Sequence, residues 1–248
     1  MNRDISSARA TAERICTDMF PSARVFLLAG SVVRGETTRY SDIDLVVVFE
    51  CFEHAKRQSF TFADWPVEAF IHDPKTLEHL FKEADRRMGV PSLATMVREG
   101  IEVPRPSECG NMIRTLANRV LGAGPIPWGQ SERDDSRYAI SDIVGDIRAP
   151  RSPDELRPVA SKLHFAVANH FCRSRDQWSA KGKRIPGRLM ALDPEFGNRF
   201  TDAFEAAFAR SDVAAVIELA EVVLEPDGGF LFDGYDRDAP CSWRMSDP

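Results

Sequence analysis

The segment Ile43–Phe49, IDLVVVF, restricts the fold more than any other stretch of this chain. It is apolar, β-branched and too poor in polar positions to give one face to water, so it reads as a central strand covered on both sides. One charge interrupts it. An ionised carboxylate in such a run is costly without a partner, which makes Asp44 the residue to be explained.

The neighbouring segments support a sheet. Ile5, Ala8, Ala12, Ile15 and Met19 recur at helical spacing over residues 4–19. Val25–Ala29 (VFLLA) is a short apolar run stopped by Gly30 and reads as a buried strand. Residues 58–63 and 67–72 each alternate, separated by a break at Asp64–Trp65–Pro66. Pro74 is placed to open a helix reaching about Met88, a shorter helix ends at Gly100, and Ile101–Val103 adds an edge strand. Beyond about residue 107 helical patterns dominate, including the stripe Tyr138, Ile140, Ile143, Val144, Ile147 and a helix pair joined at Ser211. The expected class is α+β: a mixed-sheet domain over 1–104, an α-helical bundle over 105–226, and an acidic loop-like tail over 227–248.

Between the first two strands lies GSVVRGETTRYSD. Gly30-Ser31 falls where a buried strand ends and a short helix is expected, a place where backbone N–H groups meet an anion and glycine permits close approach. Asp42 and Asp44 are two residues apart, so strand alternation puts both carboxylates on one face and Ile43 and Leu45 on the other. Paired carboxylates beside a phosphate-binding turn make a hard oxygen site suited to Mg²⁺ shared with a triphosphate. The ordinary alternative for Asp44 is a salt bridge with Arg34 or Arg39.

The full pattern, Gly30, Ser31, Arg34, Gly35, Ser41, Asp42, Ile43, Asp44, Leu45 after an apolar strand, resembles the signature of the nucleotidyltransferase superfamily typified by DNA polymerase beta. Within it, the chain is most similar to small bacterial enzymes that include the aminoglycoside nucleotidyltransferases. The resemblance implies two Mg²⁺ ions, ATP as co-substrate, and attack of an acceptor oxygen on the nucleotide α-phosphate with loss of pyrophosphate. It also implies that Gly30, Ser31 and Arg34 serve the nucleotide and that a third carboxylate comes from a neighbouring strand. Glu68 in WPVEAFIH is the candidate, as metal ligand, general base or both; Asp64 and Asp73 are its rivals at the strand ends. In the helical half, W-x-x-K-G-K followed by I-P-x-R-L is similar to the C-terminal region of uncharacterised relatives, which implies a triphosphate contact for Lys183 and a pocket position for Trp178. Arg184 stands where that pattern has an aromatic residue.

The remaining features limit function more loosely. The chain has 248 residues and a formal net charge of −6, without the basic surplus of a nucleic-acid binder. No apolar run is long enough to span a bilayer, and the charged N-terminus is unlike a signal peptide, so a cytoplasmic location with no membrane partner is expected. Five scattered cysteines and five histidines show no metal-ligand spacing. Asp142 and Asp146, one helical turn apart, could attract a cationic acceptor or simply face water. The expectation is AMP transfer to a hydroxyl of a small molecule, with an aminoglycoside-type antibiotic as the leading acceptor. Two other readings stand beside it: an antitoxin-type protein AMP-transferase, suggested by the Arg157/His164 spacing, and a non-catalytic nucleotide-binding protein.

Overall fold

The computed structural model describes residues 4–240 together with 243 and 244. The chain divides into two compact units, Met1–Ile126 and Pro127–Pro248.

The first unit is built on a five-stranded mixed sheet of order β3-β4-β2-β1-β5. Its strands are β1 (Val25–Ala29), β2 (Ile43–Val48), β3 (Lys56–Phe62), β4 (Trp65–His72) and β5 (Ile101–Glu102). β2 is central, parallel to β4 and antiparallel to β1. Helix α1 (Ile5–Met19) starts at Asp4, whose carboxylate accepts the Ser7 N–H at 2.8 Å. Its buried Ala8, Ala12 and Ile15 pack with Phe26, Leu28, Leu45, Val47, Val67, Ala69 and Ile71 from one sheet face. Asp44 and Glu68 fall on the opposite face by alternation.

The hairpin between β3 and β4 is tighter than the sequence suggests. Ala63 and Asp64 take positive φ angles of 46° and 66°, so Trp65 and Pro66 already belong to β4. Pro66 is accommodated because β2 pairs with β4 only from Val67 onward, leaving no partner there for the missing N–H. Helix α2 (Pro74–His79) continues through a π-helical turn (Leu80–Asp85) into α3 (Arg86–Met88), and α4 (Ser92–Glu99) packs against β1.

Helix α5 (Glu108–Ala123) also belongs to this unit, so the division lies one helix beyond the boundary expected near residue 104. Two devices fix it. The buried Glu102 carboxylate accepts the Ser107 N–H at 3.1 Å and its hydroxyl at 2.5 Å, and Ser107 caps the helix by accepting from the Gly110 N–H. The Arg114 guanidinium donates to the carbonyls of Val97, Arg98 and Gly100 at 2.9–3.2 Å, satisfying the C-terminal end of α4.

Among the described residues the second unit holds helices and turns without strands: α6 (Gln130–Arg148), α7 (Pro153–Arg173), α8 (Ile185–Leu192), α9 (Pro194–Arg210) and α10 (Ala214–Leu224). Their core includes Ile140, Val144, Leu163, Val167, Phe200, Phe204, Leu219 and Val223. The acidic segment from Asp227 is irregular, as its glycines suggest, yet it is tied to α6. Arg137 donates to the Gly228 and Gly229 carbonyls at 2.8 Å, the Leu231 N–H donates to Ser141, and the Tyr235 ring stacks on Tyr138 with centroids 4.0 Å apart. No helix among the described residues is long and apolar enough to cross a membrane.

Candidate active site

The site begins where β1 stops. Ala29 is paired with Asp44 across the β1–β2 ladder, and Gly30 follows with φ +80°. A Cβ on Gly30 would lie 1.9 Å from Asp44 Oδ2. The bend therefore runs directly against the carboxylate, and glycine is required twice over, by backbone conformation and by space. Residues 31–35 form hydrogen-bonded turns where the sequence suggests a short helix: the Glu36 N–H donates to the Ser31 carbonyl at 3.0 Å, and the buried Val32 anchors the segment. Any anion-binding amides there are those of a turn, without a helix dipole behind them.

Asp42 is delivered by a second turn. The Thr38 N–H donates to Ser41 Oγ at 2.8 Å and the Ser41 N–H to the Thr38 carbonyl at 3.1 Å, closing the loop just before β2. Asp44 sits one position inside the strand, and Glu68 is its direct register partner on parallel β4. Asp42, Asp44 and Glu68, all half-buried, each bring a carboxylate oxygen within 4.8 Å of the others. Three like charges so close repel one another and call for cations. An all-oxygen, all-carboxylate donor set at the mouth of a parallel strand pair fits a hard divalent ion such as Mg²⁺ or Mn²⁺.

The rivals of Glu68 are placed elsewhere. Asp73 is buried as the cap of α2, accepting the Thr76 N–H at 2.8 Å and the Phe52 N–H at 3.2 Å, and these backbone bonds hold its carboxyl below the usual carboxylate range. Asp64 lies exposed in the hairpin turn. Arg34 pairs with Glu36 at 2.8 Å and Glu99 at 3.5 Å, tying the turn after Gly30 to the end of α4.

Arg57 is a residue the sequence reading passed over. It lies on β3 opposite Phe70 and donates to Glu68 Oε2. That bond and the charges of Glu68, Asp44 and Asp42 raise its pKa above the ordinary guanidinium value. Extending the β3 alternation two residues toward its start puts Arg57 on the Glu68 face, so the signal was present in the strand's length.

The other candidates lie in the second unit. Lys183 is exposed on a short 3₁₀ turn, Gly182–Arg184, and the Trp178 carbonyl accepts from Arg188 at 2.6 Å. Asp142 and Asp146 face solvent on α6. His164 meets Phe200 and Phe204 edge-on at 4.7 and 4.8 Å, and burial among them lowers its pKa, whereas Arg157 pairs with Asp154. Cys16, Cys51, Cys109 and Cys172 are free thiols; Cys241 lies outside the described residues.

Comparison with known proteins places these observations. Residues 10–90, which carry the Gly30 bend and all three carboxylates, match the family of nucleotidyltransferase domains. The first unit thus contains a nucleotidyltransferase domain, which supports nucleotidyl transfer as the activity. No curated protein matches the chain significantly. Among solved structures, a nucleotidyltransferase-like protein from Exiguobacterium sibiricum 255-15 aligns with 88% of this chain and 73% of its own at 14% identity and a TM-score of 0.41.

Proposed function

We propose that the enzyme transfers AMP from ATP to a hydroxyl of a small-molecule acceptor, of the aminoglycoside antibiotic kind, and releases pyrophosphate. The convergence of Asp42, Asp44 and Glu68 beside the Gly30 bend carries this reading. The three carboxylates are the residues that would hold Mg²⁺, and a bound divalent ion would offset charge developing on the phosphates.

The chain's own groups account for the rest. The Gly30–Ser31 bend offers backbone N–H groups and the Ser31 hydroxyl to the triphosphate, and the missing side chain at Gly30 lets the Asp44 carboxylate lie directly against that bend. Glu68 receives the acceptor's hydroxyl proton as the new oxygen–phosphorus bond forms and the bond from the α-phosphorus to pyrophosphate breaks. The acidic balance of the chain favours a small or cationic acceptor over a growing nucleic-acid strand, which would need phosphate-neutralising Lys and Arg.

The test is pyrophosphate release from each nucleoside triphosphate with Mg²⁺, over a panel of aminoglycosides and lincosamides. The expected result is acceptor-dependent release with ATP, label from [α-³²P]ATP on the small molecule, and a loss of roughly 10²–10³-fold in Asp42→Asn. Label on protein bands alone, or an Asp42→Asn enzyme with near-normal turnover, overturns the reading.

A further inference from the structure

Arg57 is a charged group at the site that the transfer reaction leaves without a part. Its guanidinium donates to Glu68, and that bond and charge, with smaller contributions from the charges of Asp44 and Asp42, stabilise its protonated form. The same guanidinium lies over the Phe70 ring, 5.2 Å from the centroid, and Phe70 is its cross-strand partner. Arg57 is 56% exposed at the side chain while Glu68 is 27% exposed, so one partner of the pair can swing in solvent while the other stays seated.

A divalent cation held by the three carboxylates would draw on the Glu68 carboxylate that now accepts from Arg57, and its charge would repel the guanidinium. The ring gives the displaced guanidinium a place to remain, since a cation over an aromatic face keeps an attraction of its own. We propose that Arg57 is the resident counter-ion of this carboxylate set, competing with the divalent cation for Glu68 and resting on Phe70 when the cation is bound. Arg57 acts through Glu68 and is a positioning residue. It holds the third carboxylate in place while the site lacks metal, and it sets the metal concentration at which Glu68 is released. This inference rests on the reading of Asp42, Asp44 and Glu68 as the metal-holding residues.

The experiment is a Mn²⁺ titration of the full chain without nucleotide, followed by the paramagnetic resonance signal of free Mn²⁺. The variants are Arg57→Gln, Arg57→Lys, Phe70→Leu and Asp44→Asn. An exposed ion pair of this type competes modestly, so Arg57→Gln should bind Mn²⁺ about three- to fivefold more tightly. Arg57→Lys should stay near wild type, and Phe70→Leu, which removes the resting place, should bind more weakly. A merely structural role for Arg57 predicts the reverse, because loosening the site would weaken binding in Arg57→Gln. If Mn²⁺ binds to wild type, is lost in Asp44→Asn and is unchanged or weaker in Arg57→Gln, the competition is refuted while the metal site stands. If neither wild type nor Arg57→Gln binds Mn²⁺, the metal-holding reading fails and this inference goes with it.

Discussion

Gly30 shows how closely a single position can join backbone conformation to chemistry. Its φ of +80° is one that an L side chain reaches at a cost of about 1–2 kcal/mol, and a methyl group there would meet Asp44 Oδ2 at 1.9 Å. The bend and the carboxylate cannot both keep their places in Gly30→Ala. The sheet is anchored elsewhere, by α1 and the β2 ladders, so the variant should fold with a modest fall in melting temperature. Its rate should drop by about 10²-fold or more, since displacements near 1 Å at a reacting centre have effects of that size. Pyrophosphate release and a circular-dichroism melt on the same preparation check both halves. At this scale the aspartates were legible, because alternation in β2 can be counted from Ile43. Arg57 becomes legible only when the β3 alternation is carried back to Lys56, and the strand's bounds are hard to read because the left-handed φ values of Ala63 and Asp64 carry no glycine or asparagine to mark the turn.

Elements are easier to recognise in this chain than to assign to a partner. The helical period of α5 is plain, but periodicity says which face is buried and not what buries it. The Val103–Pro104–Arg105–Pro106 link looks like a domain boundary, yet it joins two parts of one unit. What holds α5 there is a polar arrangement: buried Glu102 on the Ser107 amide and hydroxyl, with Gly110 leaving room where a Cβ would sit 2.1 Å from a Glu102 oxygen. Such side-chain pairing, though only five residues apart in sequence, leaves no mark in hydrophobic periodicity. Ser107→Ala removes both the helix cap and a donor to a buried carboxylate, so it should destabilise the first unit by about 1–2 kcal/mol, read from urea denaturation. Ser107→Thr keeps the hydroxyl and should recover most of that loss. The turn after Gly30 makes the same point in reverse: a glycine-serine pair after a strand marks a bend in the sequence, but Gly35 N–H to Val32 carbonyl bonding keeps it a turn.

At the scale of the whole molecule, the acidic segment after α10 supplies a structural partner to the second unit. Asp227 accepts from Arg133 at 2.8 Å and meets the fully buried His170 at 2.9 Å, and the other imidazole nitrogen contacts Ser136. Burial lowers the His170 pKa from its ordinary 6.5, against the opposing pull of Asp227. The stability conferred by the neutral ring is therefore complete above about pH 6.5 and drains away as the pH falls below it, because the unfolded chain takes up protons that the folded chain resists. His164, lowered by the same burial, adds to the slope in the same direction. Asp227→Ala removes the group that favours the charged ring and leaves Arg133 without this partner. It should be destabilised by about 3 kcal/mol at pH 7.5. It should also lose further stability more steeply than wild type between pH 7.5 and 5.5, since the opposing pull on His170 is gone. Urea denaturation at the two pH values, followed by intrinsic fluorescence with Trp128 edge-on to the His170 ring at 5.7 Å, measures both effects. Equal slopes in the two proteins would mean that Asp227 does not govern the protonation of the ring.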